Sequence, residues 1–123
     1  MNDNILISVT LNSLPPTVNH MYMNAHGRRF RTAECREYQE HAVEQLKAAW
    51  LDKPPFSGRA ALFITLSTNN RRRWDIDNRM KALQDCLTMA GIIKDDSQID
   101  FIQIERLYEK DISTILTLKE IKD

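Results

Sequence analysis

Two segments of helical periodicity, each set between short apolar runs rich in β-branched residues, leave this chain few ways to fold. After Thr32, a residue suited to a helix N-cap, Cys35, Tyr38, Ala42, Leu46 and Ala49 recur at the spacing of one helix face. Residues 32–50 are therefore expected to form an amphipathic helix. Met80, Leu83, Leu87 and Ala90 repeat the pattern, with Asp77 or Asn78 available as cap and Gly91 where a helix C-terminal glycine belongs.

Around these helices lie the strands. Residues 5–11 (ILISVTL) and 59–67 (RAALFITLS) read as strands, and a strand, helix and strand in that order can form a crossover. Pro15 and Pro16 break regular structure. Residues 20–31 read as an irregular loop or a short hairpin around Gly27. Residues 99–108 and 112–121 alternate roughly and are joined by Glu109, Lys110 and Asp111, which predicts a β-hairpin. The order β-α-β-α-β-β predicts an α+β (broadly α/β) fold, with a mixed sheet and two helices. A chain of 123 residues fits a single domain, 1–123.

Composition excludes several classes. With 42% hydrophobic and 28% charged residues the chain can bury a core and is not disordered as a whole. No apolar run is long enough to span a membrane, and the apolar run at the start lacks a basic flank and is too short for a signal peptide. Cys35 and Cys86 have no metal-ligand spacing and read as buried thiols in a reducing compartment, so the expected location is cytoplasmic.

The 17 basic and 17 acidic side chains cancel, yet they are not evenly spread. Arg28, Arg29 and Arg31 cluster early. Residues 71–78, RRRWDIDN, place Arg71, Arg72 and Arg73 directly before Asp75 and Asp77, with Arg79 and Lys81 just after. In extended chain Asp75 and Asp77 point to one side, where a divalent cation relieves their repulsion. Arginine forks match phosphate oxygens, and Lys81 stands where it can steady charge on a phosphate. Together these residues suit gripping and cleaving a phosphodiester. Asp95 and Asp96 lie in a turn beyond the second helix, which about four turns would carry roughly 20 Å away unless the turn folds back. Taken singly, each feature has a plainer reading: a cap, an i,i+4 ion pair, an acidic turn, a solvated loop. The three histidines show no metal spacing, and no phosphate-binding glycine fingerprint is present. Tyr22, Phe30 and Trp74 lie among the basic residues, where stacking on bases and ordinary packing are both open.

RRRWDIDNRMKALQDCLTMAGIIKDDSQI resembles the signature of the RusA-type Holliday junction resolvases. That pattern has an arginine run, D-[LI]-D-N, a lysine four residues after the second aspartate, a helix, a glycine and a D-D-x-x-[IV] turn. Here it falls on Arg71–Arg73, Asp75, Asp77, Asn78, Lys81, Gly91, Asp95 and Asp96. LPPTVNHMY is similar to the family's P-P-S-x-N segment at Pro15, Pro16 and Asn19. Trp74 departs from the pattern by standing where the resemblance implies another arginine, which weakens one expected phosphate contact, bears on sequence preference and leaves the acids untouched.

The resemblance implies a small homodimer that binds four-way DNA junctions and cuts two opposing strands symmetrically, with Mg²⁺ or Mn²⁺. It implies Asp75, Asp77, Asp96 and Lys81 as catalytic residues and the three aspartates as metal ligands, with Asp95 assisting. Arg28, Arg29, Arg31, Arg71, Arg72, Arg73 and Arg79 are the expected DNA contacts, and 5′-phosphate ends the expected products. The rival readings are a related nuclease for flaps or forks, a junction-shape binding module without cleavage, and a structural protein with a charged loop.

Overall fold

The computed structural model describes residues 4–71 and 74–122. The expectations for Arg72 and Arg73 lie outside the described residues. The chain forms β1 (Ile5–Leu11), β2 (Tyr22–Ala25), β3 (Arg28–Arg31), α1 (Ala33–Trp50), β4 (Ala60–Thr68), α2 (Met80–Met89), β5 (Ile99–Tyr108) and β6 (Ser113–Glu120). This is an α+β fold with the expected order, elaborated by one small hairpin.

That hairpin resolves the open reading around Gly27. β2 and β3 pair from Tyr22↔Arg31 to Ala25↔Arg28, leaving His26 and Gly27 as a two-residue turn. Both have positive φ, 54° and 73°, the backbone that a tight right-twisted hairpin requires.

Thr32 caps α1 as expected. Its Oγ1 accepts from the Cys35 N–H at 3.1 Å and donates to the His20 carbonyl at 2.6 Å, tying the helix start to the loop before β2. The buried face is Cys35, Gln39, Ala42, Leu46 and Trp50. Ala49, assigned to that face from spacing, is exposed, and Trp50 closes the helix instead. Gln39 is a polar side chain at a core position, which apolar periodicity cannot detect.

The main sheet has the order β1-β6-β4-β5. β4 and β5 are parallel, joined by the α2 crossover, and β6 runs antiparallel to both β4 and β1. β1 and β4 run in the same direction, joined by α1, with β6 between them. One pairing differs from the sequence reading: β5 and β6 do not form a hairpin, because β4 separates them. Four residues at about 3.3 Å each suffice to step over one intervening strand, two spacings of about 4.8 Å. The step is held by the Glu109 N–H on the Thr68 carbonyl at 3.0 Å and the Asn69 amide on the Lys110 carbonyl at 3.4 Å. A short connector between alternating segments does not reveal which edge of β4 each one takes.

The core joins Leu46 and Trp50 of α1 and Leu83, Cys86 and Leu87 of α2 with Leu62, Ile64 and Leu66 of β4 and Leu116 and Leu118 of β6. Both cysteines are free and buried. Among the described residues no helix is long and apolar enough to cross a membrane.

Candidate active site

Two turns flanking α2 build the site. At the first, Asp75 is extended (φ −84°, ψ 132°), and its carbonyl accepts the Asn78 N–H at 3.2 Å, closing a 3₁₀ turn over Ile76–Arg79. The cap expected of Asp77 or Asn78 is not made. Both lie inside this turn, and Arg79 occupies the N-cap position of α2 without a side-chain capping bond. The turn also ends the extended chain after Asp75, so the alternation expected to point Asp75 and Asp77 the same way does not hold. Both carboxylates are exposed, and neither forms an ion pair among the described residues.

Asp75 opens into a pocket of about 370 Å³ shared with Thr17, Asn19, His20, Trp74 and Asn78. The LPPTVN segment thus forms one wall of the aspartate pocket. Arg79 holds that wall, donating Nη1 to the Pro15 carbonyl at 2.6 Å. The Arg79 guanidinium is part-buried, and that burial lowers its pKa.

The second turn reverses the chain after α2. The Ile92 N–H reaches the Leu87 carbonyl at 3.0 Å and the Gly91 N–H reaches Thr88 at 3.1 Å, a Schellman closure with Gly91 at φ 75°. Burial of Ile92 and Ile93 holds the returning chain against the core. The 3₁₀ turn Asp96–Gln98 follows. Asp95 caps it, accepting the Ser97 N–H at 2.9 Å, and these hydrogen bonds hold its carboxyl below the usual range. Gln98 accepts from Lys94 and Asp95 and donates to the Phe56 and Gly58 carbonyls, fixing the turn to the segment before β4.

The fold-back brings Asp96 alongside α2. Its Oδ1 accepts from the Thr88 hydroxyl at 3.3 Å, and its Oδ2 lies 3.8 Å from Lys81 Nζ. Lys81 also donates to Asp85 Oδ1 at 2.8 Å. The Asp85 hydrogen bond raises the lysine pKa, with help from the charges of Asp85 and Asp96. Asp85 and Asp96 line a second pocket, about 430 Å³, with Tyr22, Arg31, Thr88 and Asp95. Arg31 is steered there by its Nη1 bond to the buried Gln39 at 2.7 Å, and Gln39 in turn donates to the Ala82 carbonyl. Arg28 and Arg29 are exposed on β3, with Arg29 stacked 4.0 Å from the Tyr22 ring centre.

The structure thus gathers Lys81, Asp85 and Asp96 on one side, and places Asp75 in a separate pocket with Asn19 and Asn78. Among the described residues no group of three or more His, Cys, Asp or Glu side chains is close enough to hold a metal by itself. Asp75 and Asp77 are nevertheless suitable donors for a hard cation, which takes one or two protein carboxylates and completes its shell with water and phosphate oxygens. Sequence reasoning missed Asp85, though its i,i+4 spacing from Lys81 was readable, and missed Gln39, for which the sequence offers no local signal.

The RusA endodeoxyribonuclease family model matches residues 13–119, spanning both turns, the hairpin and the LPPTVN wall. The chain belongs to the RusA family. It is 36% identical over 92 residues to the crossover junction endodeoxyribonuclease RusA of Escherichia coli K12, covering 75% of each chain. It is 34% identical over 85 residues to the enzyme of that name from Enterobacteria phage 82, covering 69% of this chain and 70% of that one. It is 30% identical over 110 residues to the RusA of Aquifex aeolicus, covering 85% and 82%. Membership of this endodeoxyribonuclease family suggests a divalent metal ion.

Proposed function

We propose that this RusA-family chain resolves four-way DNA junctions by metal-dependent, symmetric paired nicking that leaves 5′-phosphate ends. The observation that carries the reading is the fold-back at Gly91. It brings Asp96 within 4 Å of Lys81, next to the turn that bears Asp75 and Asp77. A purely structural charged loop, or a module that only binds DNA, gains nothing from exposed carboxylates set beside arginines.

Asp75 and Asp77 would hold the cation, with Asp96 as the expected third acid and Asp95 shaping the turn that carries it. A bound Mg²⁺, or Mn²⁺ in its place, would supply the Lewis-acid chemistry that makes water nucleophilic near neutral pH and polarises the phosphoryl oxygen. Lys81 presents a protonated Nζ to the charge developing on the phosphoryl oxygens and the leaving 3′ oxygen. Arg28, Arg29, Arg31 and the run at 71–73 grip phosphates. Arg79 supports the site by fastening the Pro15 wall.

We assign the working form as a cytoplasmic homodimer, because paired nicks on opposing strands need two such centres. A panel of labelled four-way junctions, flaps and forks tests the substrate. The reading expects paired nicks on the four-way junction in preference to the others, and equal or better cutting of flaps would overturn it.

A further inference from the structure

Beside Asp75, five side chains from two parts of the chain stack in alternation. The Arg71 guanidinium lies 4.3 Å from the Tyr108 ring centre, Arg106 lies 5.6 Å from Tyr108 and 4.7 Å from Trp74, and Arg79 lies 4.7 Å from Trp74. Arg106 is fixed further by donating Nη1 to the Trp74 carbonyl at 2.7 Å. Arg79, at the inner end, is committed to Pro15. Arg71 and Arg106 make no salt bridge among the described residues, although the chain carries as many acids as bases. Two cations are therefore held against aromatic faces with no carboxylate ion-paired to them among the described residues.

Such stacking covers the face of a guanidinium and leaves its N–H edge to grip phosphate; in Arg106 Nη1 is donated to Trp74, and Nε and Nη2 are the part of the edge left for a phosphate. It also restricts a flexible side chain before the ligand arrives, which reduces the ordering cost of binding. Resting on the proposed DNA-cleaving function, we infer that Arg106 is a phosphate-binding residue for the DNA backbone entering the Asp75 pocket. Trp74 and Tyr108 order it, and Arg71 is the outer member of the same track. This gives the departure at Trp74 a physical meaning. The position lacks the arginine of the family pattern, and its indole instead orients an arginine supplied by β5. The cation is retained but comes from another strand.

The test is junction binding measured across a salt series in EDTA, where no cutting occurs. For Arg106→Gln the expected result is about tenfold weaker binding near 0.1 M salt and a log–log salt slope shallower by about one, the signature of one lost phosphate contact. Arg106→Lys keeps the charge but loses the stacked fork. It should keep the wild-type slope with affinity lowered several-fold, which decides the matter should the glutamine variant fold poorly. Trp74→Leu should behave as Arg106→Lys does. Wild-type affinity and slope in Arg106→Gln, or wild-type affinity in Arg106→Lys, overturns the inference. Absence of junction binding by the wild-type protein overturns the proposed function instead, so the two failures are distinguishable.

Discussion

Lys81 Nζ lies 2.8 Å from Asp85 and 3.8 Å from Asp96, two carboxylates that reach it from different elements, one from its own helix and one from the turn that doubles back along it. The ammonium is thereby held protonated and aimed across the face of α2. Replacing Lys81 with Met should lower junction cleavage on the order of 10²–10³-fold, as for loss of one group that stabilises developing charge. Binding in EDTA should change little. Single-turnover cleavage beside a binding titration separates the two effects.

Asp85 shares that ammonium from a partly exposed position on α2. Exposed i,i+4 pairs contribute little to stability, so Asp85→Asn should shift unfolding by less than about 0.5 kcal/mol. Cleavage should fall several-fold, because the lysine loses its nearer anchor. Urea denaturation and cleavage rates on the same preparation check both halves.

Gly91 carries the reversal that brings Asp96 to Lys81. A Cβ there meets no atom within 4 Å, so Gly91→Ala incurs only the conformational cost of φ 75°. The expected loss is roughly 1 kcal/mol, read as a lower urea midpoint with an unchanged m-value.

Burial pushes the Cys86 thiol up to about 12, well above the usual thiol range. The folded-state pKa is raised, so the stabilising contribution is whole below pH 9. It is lost as pH rises from about 9 toward 12, where the unfolded chain ionises and the folded one does not. The expected decline is at most about 1.4 kcal/mol per pH unit for this one group. Unfolding free energies measured from pH 8 to 10.5, with Cys86→Ala showing a flatter profile, test this. Alkylation at pH 8 should modify the thiol readily only after denaturation.

How much of this was legible in the sequence differs by level. The helices were readable because Leu46, Leu83 and Leu87 repeat at the helical period and Thr32 and Gly91 punctuate the ends. Strand order was not, because alternation in residues 99–121 is satisfied equally by a hairpin and by two strands flanking β4, and only packing of α2 decides between them. The motif named Asp75, Asp77, Lys81 and Asp96. It did not show that a 3₁₀ turn interrupts extended chain between the first two, since that depends on the Asp75–Asn78 hydrogen bond. Arg106 was not read as a site residue because Trp74 meets it only through the fold, although Tyr108 stands two residues on along the same strand.

The central claim is that the two turns flanking α2 form a metal-dependent junction-cutting centre. Its most direct test is cleavage of a labelled immobile four-way junction by wild-type protein and Asp75→Asn, each with Mg²⁺ and with EDTA, alongside a matched linear duplex. The account predicts paired symmetric nicks on the junction only, requiring both Mg²⁺ and Asp75. Metal-dependent cutting that persists in Asp75→Asn, or tight junction binding with no nicks under any condition, would contradict it.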